Sequence, residues 1–183
     1  QYAQLYLGNF YLNGNYVEKN INKSINYLQN SANQNNKKSL FILGLIYFIG
    51  KDIKRDINQS IDFFMKASNI NHSKSKNNLA IIYKNGIDIK KDICRAAVLL
   101  KESVQMNNYV SMYNLAHLYF YEEIENSYDN IIDLLVKSMN EFDDSSKLLA
   151  IVLIKKYKNI TFEIIENEIK IHLSNKKNNI KNM

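Results

Sequence analysis

The chain has 183 residues, 46% hydrophobic and 23% charged, with one Cys, no Pro and no Trp, a length that suits one domain or one short repeat array. No apolar run approaches the roughly 18–20 residues that span a membrane, and the single Cys94 excludes both an intrachain disulfide framework and a Cys-based zinc site. A formal charge of +6 points toward acidic partners, but 28 Asn, 25 Ile and 22 Lys are the bias an AT-rich genome writes into any protein, so the basic pI by itself does not point to a partner.

The strongest signal is a repeat. Tyr11, Tyr47, Tyr83 and Tyr119 follow one another at steps of 36 residues. Each is preceded four positions earlier by a leucine (Leu7, Leu43, Leu79, Leu115) and then by a small residue (Gly8, Gly44, Ala80, Ala116). Gly14, Gly50 and Gly86 keep the same step, as do Val17, Ile53 and Ile89, then Asn20, Asp56 and Asp92, and finally Asn35, Asn71 and Asn107. Columns held in phase in this way define units 3–38, 39–74, 75–110 and 111–144, with a partial fifth over 145–158.

Within a unit, Leu and Tyr four apart share one face of a first helix, as over Ser39–Ile49, and the small residue admits a close neighbour. Gly50 stands where a left-handed residue closes that helix. Asp56 and Asp92 read as N-caps of a second helix, whose inner face in the second unit is Ile57, Ile61, Phe64 and Ala67, with Asn71 as a left-handed stop. The fourth unit keeps Leu115, Ala116 and Tyr119 but has Glu122 in the glycine column and no capping Asp. Leu149, Ala150 and Leu153 trace a fifth first helix. Phe162, Ile165, Ile169 and Leu173 predict a capping helix over 159–174, followed by a disordered Lys/Asn-rich tail, 175–183. The chain opens at Gln1 inside a helical pattern, which leaves room for a processed segment or further repeats upstream.

These columns resemble the Sel1-like repeat, a 36-residue relative of the tetratricopeptide repeat. The resemblance rests on Ala3, Leu7, Gly8, Tyr11, Gly14, Val17, Asn20, Lys23 and Ser24 in the first unit, and on Leu43, Gly44, Tyr47, Gly50, Ile53, Asp56, Ser60, Ala67 and Ser68 in the second. The third supplies Leu79, Ala80, Tyr83, Gly86, Ile89, Asp92, Arg95, Ala96 and Ser103. It implies an all-α, right-handed α/α superhelical solenoid of helix-turn-helix repeats, closed here by the C-terminal capping helix. Tyr16, Asp52 and Asp88 replace the family's second loop glycine, which predicts differently shaped loops. The paired cysteines of some bacterial members are missing, so the resemblance carries no disulfide-stabilised secreted form; the cytoplasm is the favoured compartment.

By analogy with tetratricopeptide geometry, function lies on the concave face. Two positions before the Leu, two after it, and one or two after the Tyr should line that groove. The first unit gives Leu5, Asn9, Leu12 and Asn13, and the second gives Phe41, Leu45, Phe48 and Ile49. The third contributes Asn77, Ile81, Lys84 and Asn85, and the fourth Tyr113, His117, Phe120 and Tyr121. More than half of these are large apolar or aromatic groups, a composition that marks a binding surface. Phe41, Leu45, Phe48, Ile81, Lys84, Tyr113, His117, Phe120 and Tyr121 are the candidate partner-binding residues. Residues 111–144 hold one Lys against eight acids, and Glu122, Glu123, Glu125, Asp129 and Asp133 form a candidate acidic patch that would attract basic partners and repel phosphate.

No catalytic set stands out. His117 has neither a nucleophile nor a positioned carboxylate beside it, Cys94 reads as a buried structural thiol, and no cofactor, metal ion or small-molecule substrate is expected. The expected function is a non-catalytic scaffold that binds a protein segment or domain, as an adaptor or as an inhibitor or immunity protein. The alternatives are a hydrolase-like enzyme of the cysteine-rich branch and a weak nucleic-acid binder suggested by the basic pI alone.

Overall fold

Side-chain caps set where the helices begin. Asn20, Asn36, Asp56, Asn108 and Ser127 hold extended backbone, and each accepts a hydrogen bond from an amide two or three residues further on, satisfying the donors a helix start leaves open. Asp92 does the same for the amide of Arg95, at 2.8 Å. The computed structural model describes residues 2–122, 125–139 and 144–157 and the single positions 167, 170 and 171. All regular structure among them is α-helical.

Six helices belong to a first compact unit, residues 1–103: α1 (Tyr2–Asn13), α2 (Ile21–Ala32), α3 (Lys37–Ile49), α4 (Ile57–Asn69), α5 (Ser73–Asn85) and α6 (Ile93–Val104). They alternate as first and second helices of successive repeats, and α3 and α5 start 36 residues apart. Gly50 and Gly86 close α3 and α5 at φ +62° and +64°. Asn35 and Asn71 adopt φ +57° after the second helices, conformations for which Asn is the usual non-glycine choice. Tyr16 and Asp88, two of the three residues in the second loop-glycine column, hold φ +64° and +53°. Asp88 is anchored by Arg55 at 3.0 Å, just as Asp52 is by Lys19 at 2.8 Å one repeat earlier.

The small-residue column lets paired helices touch. Ser24 and Ser60, wholly buried, donate to the carbonyls of Gly8 and Gly44 at 2.8 Å each. Tyr11 stacks on Tyr27 and Tyr47 on Phe63, both with ring centroids 5.7 Å apart. Leu5, Leu28, Leu40, Leu43, Ile46, Phe63 and Ala67 belong to one core cluster here, and successive repeats join where Ser31 meets Ser39 at 2.8 Å. Leu7 departs from its column. It is 37% exposed on α1, whereas Leu43 and Leu79 are buried.

The second unit, residues 104–183, contains α7 (Tyr109–Tyr121), α8 (Tyr128–Ser138) and α9 (Asp144–Lys156). Leu115, Leu118, Ile132, Leu135, Leu149 and Leu153 are buried. The Ser138 and Ser145 hydroxyls, 2.7 Å apart, join α8 to α9. The expected capping helix and tail lie outside the described residues, apart from the isolated positions above.

Candidate functional site

α3 is apolar nearly all round: Lys37 and Lys38 are followed by eleven residues of which only Ser39 is polar. Leu40, Leu43 and Ile46 use one face for the core. The opposite face carries Leu45 and Phe48, half-buried, and Ile49, exposed. Together with Asn78 and Ile81 of α5, and with Phe64 of α4 as the floor, these residues enclose an open cleft of about 290 Å³. Ile49 is 62% exposed at its rim. The lining is apolar except for Asn78, so the cleft suits an aliphatic or aromatic side chain and offers one hydrogen-bonding group to orient it.

The surroundings are basic. The Arg55 guanidinium lies 5.8 Å from the centre of the Phe48 ring, and Lys84 stands one turn beyond Ile81. Phe41 packs on Phe64, centroids 5.9 Å apart, and on His72 at 4.9 Å. Burial, with the charges of Lys37, Lys74 and Lys38 behind it, pushes the His72 imidazole down to about 4. Its Nδ1 lies 2.9 Å from the Ser75 hydroxyl.

In the second unit, rings line α7. Tyr113 and His117 have centroids 6.0 Å apart, His117 and Tyr121 4.4 Å, and Phe120 and Tyr121 meet edge to face at 4.9 Å. Burial, with the nearby Asp144 carboxylate behind it, raises the Tyr113 hydroxyl above its ordinary value.

The expected groove residues therefore divide. Leu45, Phe48 and Ile81 meet at one cleft, with Lys84 beside it, and Tyr113, His117 and Tyr121 form a separate series on α7. Phe41 is half-buried beneath the cleft rather than open in it. Leu5 and Asn77, two positions before their Leu column, are buried; that position faces neighbouring helices, as the Phe41 contacts show. Phe120 is a further correction. It is 9% exposed, because α9 packs nearby and lays Lys155 4.9 Å over its ring. Cys94 is exposed and not a buried thiol, since α6 turns Ala96, Ala97 and Leu100 inward instead.

The acidic patch is partly neutralised. Asp129 pairs with Lys156 at 2.8 Å, and Asp133 pairs with Lys137. Glu125 is exposed, Glu122 is half-buried at the end of α7, and Glu123 lies outside the described residues. Among the described residues no cluster of His, Cys, Asp or Glu could hold a metal ion, and no helix is long and apolar enough to cross a membrane.

Sequence reasoning did not find Phe64 as the floor, Asn78 as the polar lining group, or Arg55 and His72 as neighbours. The signal for Phe64 was present: it stands 20 residues after Gly44, where the first and third repeats have Leu28 and Leu100. Gly8 and Gly44 alike leave the side chain opposite them no room for a Cβ.

Comparison with known proteins agrees with this architecture. No curated protein sequence matches the chain. A Sel1 repeat protein from Oxalobacter formigenes superposes with a TM-score of 0.79 at 21% identity, over 94% of this chain and 72% of that one. The protein c5321, a protective antigen of uropathogenic Escherichia coli strains with an SLR fold, gives 0.81 at 20% identity, over 96% of this chain but only 38% of its own. At such identities the likeness is one of fold. The Sel1 repeat model itself matches residues 1–36, 37–72, 73–108 and 110–125, more than half of the length, so the chain belongs to the Sel1 repeat family.

Proposed function

We propose that this chain is a non-catalytic scaffold that binds a segment of a partner protein in the cleft between α3 and α5, serving as an adaptor or as an inhibitor or immunity protein. Sel1 repeat proteins are generally protein–protein interaction scaffolds. The observation that carries the reading for this chain is the open apolar cleft of about 290 Å³ lined by Leu45, Phe48, Ile49 and Ile81. A water-facing cleft of this composition is stabilised by covering it. Leu45, Phe48 and Ile81 act as anchors, Lys84 flanks them, and Tyr113, His117 and Tyr121 supply a second contact series on their own unit.

The test is affinity capture with mass spectrometry from the host of origin, comparing wild type with Leu45→Ser/Ile49→Gln. Both side chains are at least partly exposed, so the variant should keep its circular dichroism and melting temperature. One stoichiometric protein held by the wild type and lost by the variant is the expected result, and its identity separates adaptor from inhibitor. A wild-type chain that holds no specific protein would overturn the reading.

A further inference from the structure

The cleft sits in a strongly basic half of the chain. Residues 1–103 contain 15 Lys and Arg against seven Asp and Glu, a net charge of +8, whereas residues 104–183 carry −2. Six of those seven acids already have intramolecular work. Asp52, Asp62, Asp88 and Glu102 pair with Lys19, Lys66, Arg55 and Lys76. Asp56 and Asp92 accept from the amides that open α4 and α6. The unit therefore carries a formal surplus of positive charge, and fields of this kind select and steer partners of the opposite sign. The surplus reaches the surroundings of the cleft: Lys37, Lys38 and Lys74 act on His72, whose ring packs on Phe41, which in turn packs on the Phe64 floor.

Resting on the reading that the cleft binds a protein segment, we infer that its occupant is an acidic one: a large aliphatic or aromatic side chain seated on Phe64 between Phe48 and Ile81, flanked by Asp or Glu residues. The apolar cleft supplies the register. The surrounding charge supplies attraction, and it disfavours a basic segment by the same amount. Residues 111–144 of this chain are themselves acidic, so a second copy is the competing occupant.

Selection of a phage-displayed random dodecapeptide library against the full chain tests this. The expected peptides contain one Leu, Ile, Phe or Met with at least two Asp or Glu. Their synthetic forms should bind about tenfold more weakly to Ile49→Gln. They should lose a similar factor between about 50 and 300 mM salt, and weaken a few-fold on Lys51→Glu, an exposed lysine two positions beyond Ile49. Neutral or basic apolar peptides that are lost on Ile49→Gln would overturn the acidic occupant while leaving the cleft as a docking site. Enriched peptides indifferent to Ile49→Gln would overturn both. Self-association by light scattering at low salt, abolished by Ile49→Gln, would assign the cleft to a second copy and overturn the acidic partner.

Discussion

A methyl group added at Gly44 would lie 2.5 Å from two carbons of the Phe64 ring, closer than any packed Cβ sits. Gly44→Ala should therefore cost about 2 kcal/mol, through a shifted helix or an off-rotamer Phe64, measured as a lowered urea midpoint at unchanged m-value. The third repeat supplies the remedy. Ala80 and Leu100 stand at the equivalent positions and both are buried. Gly44→Ala combined with Phe64→Leu should recover most of the loss, a coupling between two side chains that a double-mutant cycle reads directly. The restored variant loses the floor of the cleft, however, so its stability would return without its binding. The alternation of Gly8 and Gly44 with Ala80 and Ala116 was legible in the sequence as a demand for close approach. The identity of the approaching side chain was not, because it lies across a loop on the next helix.

At the scale of the helix, the column Asn36, His72, Asn108 exposes an inconsistency among otherwise matched repeats. Asn36 and Asn108 accept from the amides of Ser39 and Ser111, whereas His72 makes no side-chain cap bond for α5. His72 is also held neutral by burial and by three lysines, with its value pushed down to about 4. The unfolded chain takes up a proton near pH 6.5 and the folded chain only near 4, so stability is full above 6.5 and falls as the pH drops through that window. Partial exposure screens the effect to the order of 1 kcal/mol. His72→Asn should restore the cap, add about 1 kcal/mol at neutral pH, and flatten the stability profile between pH 6.5 and 4. Asp56 titrates below that window, held under the usual carboxylate value chiefly by the Gln59 amide, so it does not obscure the comparison. A variant profile that still falls across this window would mean that another group titrates there. Helix starts and stops were thus readable from Asn, Asp and Gly positions. The division of α3 and α7 into core and groove faces was less so, because helices apolar all round carry no face signal; this is why Phe120 of α7 was expected in the open and is buried.

Across the whole molecule, the repeat period revealed the succession of helices because every unit solves the same packing problem with the same residues. The cleft depends instead on where the units differ, with Phe64 for leucine, Phe48 and Ile49 at the end of α3, and Arg55 beside them. Such differences are invisible to a periodic pattern and emerge only when neighbouring helices are placed side by side. They also separate folding from binding. Ile49 is 62% exposed, so Ile49→Gln removes little buried area and should leave the melting temperature within about 2 °C of wild type. The same change should weaken a bound segment by about tenfold, near 1.4 kcal/mol. Phe64 is fully buried, and Phe64→Ala should cost about 3–5 kcal/mol of stability as well as the floor of the cleft. Thermal melts alongside calorimetric titration of one selected peptide resolve the two effects. If Ile49→Gln lowered stability in proportion to affinity, the rim of the cleft would be part of the core, and the docking surface would have to be sought on another face of the repeats.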